Sequence, residues 1–496
     1  MSSTTSYLPR EGRPTTQVPD TRPEDVSAAL SRAAAAADAV AEVSPATRRA
    51  WLAAIADALE AEVEQLASLA DRETGLGMER LRTEVVRAAS QLRFYGDVAE
   101  EGSYLGLTID TAPTRIVRMA RPLGPVAIFG ASNFPFAFGV LGNDTASALA
   151  AGCPVVVKAH PAHPVLSDRL VALAKTALAE AGAPRGTLEA VHGLRAGRAL
   201  VESEQIGAVG FTGSQGGGLA LWELANARPR VIPVYAEMGT VNPVVVTPSA
   251  AVSRLADVAD GFAQSFSLGF GQFCTKPGLV FVPTGHEAVQ RLAAAASRTA
   301  TSAVLLTEGI AQAARSGVQA LIAEGAEIVS QVPGPGRGWS ADTTVLTAPI
   351  TALHPTSRLR EECFGPVAVI VEYHDADELR HALNALQGAL VGSVITDGTD
   401  ADPDAGRLVE SLSDMVGRVT VDDWPTSVAW TWAQHHGGPW PSTTAPAATS
   451  VGASALARWV RPVAYQSIPD AWLPEGARES NPWRIPRRVD GKILHR

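Results

Sequence analysis

The chain has 496 residues, a formal net charge of −10, and 46% hydrophobic against 19% charged residues. A single hydrophobic core stops growing near ~300 residues, so at least two domains are expected, and the ordinary apolar fraction excludes a chain disordered throughout. The acidic balance argues against a nucleic-acid partner, which needs a basic face to release counterions from phosphate.

In chain order, Met1 to Pro23 is polar, rich in proline and threonine, and without the apolar stretch of a secretory signal, which predicts a flexible tail. No uninterrupted apolar run of about 18 residues occurs, so no membrane helix is expected. The cysteines Cys153, Cys274 and Cys363 are too few for a disulfide framework and lack metal-ligand spacing. A cytoplasmic protein with free thiols and no metal is expected. Ser44-Pro45 is a helix start, and Trp51, Ile55, Leu59, Val63 and Leu66 recur on one face, predicting one long helix to about Thr74-Gly75. From residue 115 short β-branched runs alternate with Ala/Leu-rich stretches, the texture of βαβ units. Strands are predicted at Val126 to Phe129, Val155 to Val157, Leu188 to Val191, Ala208 to Phe211 and Val231 to Tyr235, with a helix from Asp168 to Ala181. A second series begins at Val244 to Val246, with an apolar helix near Arg254 to Phe270, a strand at Leu279 to Val282 and a helix from about Glu287. Two α/β blocks meeting near residue 240 would hold a site where they face each other. Beyond Asp423 periodicity fades, and Trp424, Trp430, Trp432 and Trp440 stand in a cleft wall, a subunit contact or ordinary packing.

Cys274 follows Gly269-Phe270-Gly271-Gln272-Phe273 at a helix-to-strand junction, where glycines permit close approach of a ligand and a loop can present a thiol. A lone cysteine is nevertheless more often a small buried hydrophobe. Glu237, at the end of an apolar strand beside Gly239, suits a general base, with a salt-bridged or capping carboxylate as the commoner alternative. Asn133, in a small-residue loop past a buried strand, either donates to an oxyanion or holds the turn. Lys158 closes Val155-Val156-Val157, and a lysine at the carboxyl end of a parallel strand points to a cofactor crevice unless it snorkels to solvent. Gly213-Ser214-Gln215-Gly216-Gly217-Gly218 leads from strand to helix and would offer N–H groups to a phosphate, although it is not a dinucleotide fingerprint and a plain turn is equally open.

Taken together, Phe129 to Pro135, Val155 to Pro161, Phe211 to Ser214, Ala236-Glu237-Met238-Gly239, Gly271 to Thr275 and Glu361-Glu362-Cys363-Phe364-Gly365-Pro366 occur in the order and spacing of the aldehyde dehydrogenase superfamily. The chain resembles that family from about residue 25 to residue 468. Lys158-Ala-His-Pro-Ala-His163-Pro, Asn242-Pro243 and His436-Gly437-Gly438-Pro439 are similar to the branch of 2-oxoglutarate semialdehyde dehydrogenases and NADP-dependent fatty aldehyde dehydrogenases. The resemblance implies that Cys274 is the nucleophile, Glu237 the base for the deacylating water and Asn133 the oxyanion amide. It further implies cofactor contacts from Lys158 and His160 at the adenosine ribose, from Gly213, Ser214 and Gly218 at the pyrophosphate turn, and from Glu362 and Phe364 at the nicotinamide end. His436 would approach the cysteine, tuning its pKa, moving a proton or serving structure alone.

The implied architecture is α/β, an aldehyde dehydrogenase fold with a Rossmann-like cofactor domain at 24–240, an oligomerisation excursion at 103–122 and an α/β catalytic domain at 241–430. Residues 431–496 would return to the cofactor domain, add a β-strand near Arg458 to Gln466 to the oligomerisation part, and end in an Arg-rich tail able to dock across a neighbour. A homodimer or homotetramer follows from the covered strand edges. The cofactor is NADP or NAD. Pro161 stands where NAD-specific relatives often carry a glutamate that repels a 2′-phosphate, and Arg195 or Arg198 lies where one relative type binds that phosphate, which tilts the reading toward NADP. The expected reaction oxidises an aldehyde to an acid through a thiohemiacetal and a thioester. 2-Oxoglutarate semialdehyde is the first expectation, and a medium- or long-chain fatty aldehyde between walls of Phe134, Phe136, Phe273 and Trp430 the second. A CoA-acylating relative would generally lack Glu237, and an inactive binding protein would have no reason to keep Cys274, Glu237 and Asn133 in register.

Overall fold

The computed structural model of the protein describes residues 2–495, so that Met1 and Arg496, the outer ends of the two expected tails, lie outside the described residues. Val126–Phe129 seeds the first sheet. Val155–Lys158 and then Leu188–Val191 add on one side, Ala208–Gly213 and then Val234–Met238 on the other, all parallel. The chain therefore runs outward, returns across its first strand and runs outward again, which opens a crevice at the carboxyl ends of Phe129 and Gly213. Side chains alternate between two cores. Val126, Ile128, Val155 and Val157 face the helices Pro45–Ala61, Met78–Glu101, Asn143–Ala151 and Pro164–Glu180, whereas Ala127, Phe129 and Val156 face Pro23–Glu42, Leu194–Glu202 and Gln215–Asn226.

The second sheet repeats this plan around Pro243–Val246. Leu279–Pro283, Val367–Tyr373, Thr343–Ala348 and the antiparallel Glu327–Val332 lie to one side, and Ala389–Ile395 and Val416–Val421 to the other. Val244, Val280 and Ile370 belong to one core and Val245, Phe281 and Val371 to the opposite one. A third sheet stands apart in the order Val460–Gln466, Ile116–Pro122, Thr108–Asp110, Arg487–Val489, Lys492–Leu494.

The structure differs from the sequence reading at four places. The N-terminal segment is no flexible tail: Ser3–Leu8 and Arg13–Pro19 form an antiparallel hairpin. Ser6 Oγ donates to Glu73 (2.5 Å), Arg10 grips both carboxylate oxygens of Asp71 at 2.8 Å, and the Tyr7 ring lies 5.2 Å from Trp339. Polar anchors of this kind leave no trace in hydrophobic periodicity. The long helix after Ser44 is two, Pro45–Ala61 and Val63–Thr74, because Glu62 leaves helical geometry (φ −121°, ψ 23°); its carboxylate pairs with Arg169. The apolar helix expected from Arg254 to Phe270 is present as Leu255–Ser267 and stops earlier, because Gly269 and Phe270 take positive φ (54° and 58°) in the tight turn Leu268–Gly271. The last residues fold back on their own chain rather than reaching away: Arg487–Val489 pairs in parallel with Thr108–Asp110, and Leu473, Ala477 and Ile485 bury against Leu107, Val117 and Met119.

Candidate active site

Val234–Met238 begins three residues later than its apolar pattern suggested, so Glu237 lies inside the strand end rather than after it. Its carboxylate is buried at 4% exposure. His436 Nε2 sits 2.9 Å from Oε1, and Ser450 Oγ donates to Oε2. Burial pushes Glu237 upward, but His436, the Ser450 hydroxyl and Arg458 outweigh it and hold the carboxyl below its ordinary range. Cys274 follows the tight turn Leu268–Gly271 and is half-buried. Its Sγ is 3.9 Å from the same His436 Nε2. Burial, then the Glu237 and Glu362 carboxylates, push the thiol well above its usual range. A free thiolate is therefore scarce at neutral pH.

Both contacts of His436 fall on one nitrogen, while Nδ1 has no hydrogen-bond partner among the described residues. A proton on Nε2 faces the Glu237 carboxylate as a charge contact, with Oε1 in no directed hydrogen bond among the described residues, and leaves that nitrogen unable to accept a proton from sulfur. The arrangement thus holds Glu237 ionised beside the thiol, rather than relaying charge through the ring. Asn133, 7% exposed, donates one Nδ2 hydrogen to the carbonyl of Gln272 at 2.8 Å and keeps a second for a ligand. Asn242 Nδ2 donates to the carbonyls of Cys274 (2.7 Å) and Lys276 (3.1 Å), fixing the cysteine loop.

The residues expected at the cofactor divide into two groups. Lys158, at the end of its strand and 8% exposed, has no hydrogen bond or ion pair among the described residues, and burial lowers its pKa to about 8. Ser214 caps the helix Gln215–Asn226, its Oγ accepting from Gly217 N at 3.3 Å, and Gly216 opens onto free space beside it. Glu362 lies against the backbone of Gly239, and Phe364 is half-buried in the same loop. An unpaired buried ammonium and an open helix N-terminus at the carboxyl end of the first sheet, with a half-buried carboxylate against Gly239, fit a dinucleotide. Two expected contacts have partners within the protein. Gly218 is buried against Met238, where a Cβ would come 2.6 Å from Sδ, so it serves helix-to-strand packing. His160 uses Nδ1 to accept from Ala162 N (3.1 Å) within its own turn, and burial keeps the ring neutral. Arg195 is exposed on the first turn of Leu194–Glu202, whereas Arg198 is paired with Glu202 at 2.8 Å.

Several site residues escaped the sequence reading. Lys276 is buried and donates to the carbonyls of Cys363 (2.8 Å) and Val367, tying the cysteine loop to the Glu362 loop. Glu84 is buried and accepts from Phe136 N (2.9 Å) and Ala137 N (3.1 Å), which sets the loop after Asn133. A carboxylate in register with Leu81, Val85 and Ala88 on an apolar stripe was the available signal for it. Arg80 and Arg87 share that helix face. Phe136 is a core residue at 1% exposure and lines no cleft.

Burial raises Glu362 to about 7, against an opposing pull from Lys276 and Arg358. The folded state therefore holds this proton more tightly than the unfolded one, and the associated stability, full below the ordinary carboxyl range, is lost as pH rises through about 7. In Glu362→Gln the fall in Tm between about pH 5 and about pH 8 should be smaller than in the wild type. An equal fall would show that burial of this group is not its source.

A model of the aldehyde dehydrogenase family matches residues 2–453. The chain is 43% identical over 489 residues to alpha-ketoglutaric semialdehyde dehydrogenase 2 of Azospirillum brasilense, covering 94% of this chain and 91% of that one. It is 38% identical over 462 residues to alpha-ketoglutaric semialdehyde dehydrogenase of Acinetobacter baylyi, covering 88% and 86%. The crystal structure of PnpE, a Pseudomonas protein, in complex with nicotinamide adenine dinucleotide has the same fold, with a TM-score of 0.82 over 95% of both chains at 22% identity. Because the family match and the fold agree over nearly the whole length, the chain belongs to the aldehyde dehydrogenase family and is a nicotinamide-cofactor oxidoreductase that acts on aldehydes.

Proposed function

We propose that the enzyme oxidises 2-oxoglutarate semialdehyde to 2-oxoglutarate, with Cys274 as nucleophile, Glu237 as base, Asn133 as oxyanion donor and His436 as the residue that positions Glu237. The observation that carries the substrate is a group of arginines around the mouth of the cysteine site. Arg80 lies 5.0 Å from the centroids of both Phe134 and Phe273, and Arg87 lies 5.0 Å from that of Trp430 and 5.5 Å from that of Phe134. Arg80 Nη1, Arg87 Nε and Arg418 Nε are without hydrogen-bond partners among the described residues. The Arg87 charge opposes the upward push on the Cys274 thiol, and Arg418 Nη2 donates to the carbonyls of Pro425 and Ser427 at 2.8 Å. The walls that a fatty aldehyde would need are aromatic here, but guanidinium groups cover their faces. One carboxylate on a short chain, with its aldehyde at Cys274, satisfies such a lining. The two semialdehyde dehydrogenases at 43% and 38% identity support the same reading.

The chemistry follows from the two opposed pKa shifts. A thiol pushed up and a carboxyl pushed down make proton transfer unfavourable on its own, so it proceeds with carbon–sulfur bond formation, when the charge moves to oxygen. The second Asn133 N–H and the Cys274 backbone N–H receive that oxygen, and losing one such donor costs roughly 2.7–4 kcal/mol in the transition state. Lys158, Ser214 and Glu362 would hold NAD or NADP, which would supply the hydride acceptor needed to convert the thiohemiacetal to a thioester. Glu237 then takes a proton from water as it attacks the thioester carbon, releasing the acid and Cys274. Residues 24–240 would bind the cofactor, 241–430 would carry the nucleophile, and 431–496 would complete the site through His436. The open edge of Val460–Gln466 favours a homodimer or homotetramer, and the enzyme would work in the cytoplasm. Pro161 and the exposed Arg195, considered alone, favour NADP over NAD.

Reduced-cofactor formation by the purified enzyme, with 2-oxoglutarate semialdehyde and with hexanal, tests the proposal. A kcat/KM at least about 100-fold higher for the semialdehyde is expected from a buried charge-assisted anchor. Preference for hexanal would remove the substrate while leaving the cysteine mechanism.

A further inference from the structure

The hairpin at the N-terminus ends beside the cofactor crevice. Thr21 N donates to the carbonyl of His192 (3.0 Å) and Thr21 Oγ1 accepts from His192 N (2.8 Å), pinning residues 20 and 21 to the turn after Leu188–Val191. Asp20 N donates to the Ser2 carbonyl at 3.0 Å, and Thr4 Oγ1 donates to Asp20 Oδ1 at 3.0 Å. The carboxylate then packs on Gly193, where a Cβ would come 2.6 Å from Cγ; a glycine is needed for this approach. Oδ2 has no hydrogen bond among the described residues. Lys158 ends the adjacent strand, its Cα directly opposite Val191, so the buried ammonium and the half-buried carboxylate stand at the same end of neighbouring strands. They are not an ion pair within 4.0 Å, yet Asp20 is the charge that counteracts the burial of Lys158. A donor and an acceptor thus stand at the same end of neighbouring strands, close enough for the charge of one to act on the other.

We propose that Asp20, supplied by the N-terminal hairpin, accepts the 2′-hydroxyl of the adenosine ribose across from Lys158 and repels a 2′-phosphate, making the enzyme selective for NAD. The proposal rests on the reading of Lys158 as a cofactor residue. It reverses the leaning that Pro161 suggests: the loop after Lys158 lacks a carboxylate because one arrives from a segment more than a hundred residues upstream. Arg198 is neutralised by Glu202, which leaves Arg195 as the one rival for a phosphate in this turn.

Binding of NAD and NADP to the full-length enzyme, followed by isothermal titration without substrate, tests it. The wild type should bind NAD at least about tenfold more tightly than NADP, since placing like charges together is costly in a partly desolvated site. Raising salt should narrow that ratio by screening. Asp20→Asn keeps the shape and the Thr4 acceptor; it should tighten NADP binding about tenfold while changing NAD by less than about threefold. The salt series on the wild type gives an answer even if the variant folds poorly. Equal affinity of the wild type for both cofactors, or an equal change for both in Asp20→Asn, would overturn the proposal and leave Asp20 as a hairpin anchor. Failure of either cofactor to bind wild type would overturn the reading of Lys158, and this one with it.

Discussion

Glu237→Gln enzyme, mixed rapidly with aldehyde and cofactor, should release about one equivalent of reduced cofactor per site and then turn over roughly 10²–10⁴-fold more slowly, the range expected when a general base is lost. The burst separates the two demands on this carboxylate. Formation of the thioester needs one proton removed from sulfur as it bonds to carbon, and residual water or buffer can serve there. Hydrolysis needs a base poised on a water at the thioester carbon, and the buried Glu237, held ionised by His436 at 2.9 Å and by Ser450, fits that task. His436→Gln should slow the same step less and raise the pH at which the steady-state rate reaches half its maximum, because a contact that lowers or holds the Glu237 pKa is altered while the carboxylate remains. A Glu237→Gln enzyme with unchanged steady-state turnover would remove it from the mechanism.

The second large effect is expected at Arg87. Arg87→Met keeps the length of the side chain and its contact with Phe134 and Trp430 but removes the charge. For 2-oxoglutarate semialdehyde, kcat/KM should fall roughly 30-fold or more, since losing the partner of a buried carboxylate costs about 2–5 kcal/mol. For hexanal it should change less than about threefold, because an uncharged chain never used the guanidinium. The contrast between substrates separates anchoring from structure: Arg87 Nη2 also donates to the Val428 carbonyl at 3.0 Å, and loss of that bond would slow both substrates alike. An equal loss for both would assign Arg87 to holding the 428–430 segment instead.

Much of this site was legible in the sequence because short-range patterns carry it. Val126 to Phe129 and Val155 to Lys158 are apolar runs that only a sheet covered on both faces can bury, and the loops that follow them must open at its carboxyl end. Glu237, Asn133 and Lys158 each sit at such a junction, and Cys274 sits at the helix-to-strand turn before Leu279–Pro283. Glu237 was displaced by only a strand boundary, since the apolar run Val231 to Tyr235 marks burial and not where pairing begins. By contrast, Gly218 looked like part of a phosphate turn, and only Met238 beneath it shows that the missing side chain makes room for a neighbour.

The sequence by itself determined the two α/β blocks and the family and pointed to Cys274, because helix caps, strand periodicity and loop glycines act over a few residues and survive in the linear order. The tertiary structure alone decided the rest. His436 shares one nitrogen between Glu237 and Cys274 from 162 residues beyond the thiol. Arg80 and Arg87 bring charge from a helix that precedes the first sheet, and Lys276 ties two loops together. Asp20 reaches the crevice from a hairpin whose polar sequence reads as disorder. Burial, unpaired charge and the sharing of a proton are properties of what surrounds a side chain, and those surroundings come from distant parts of the chain.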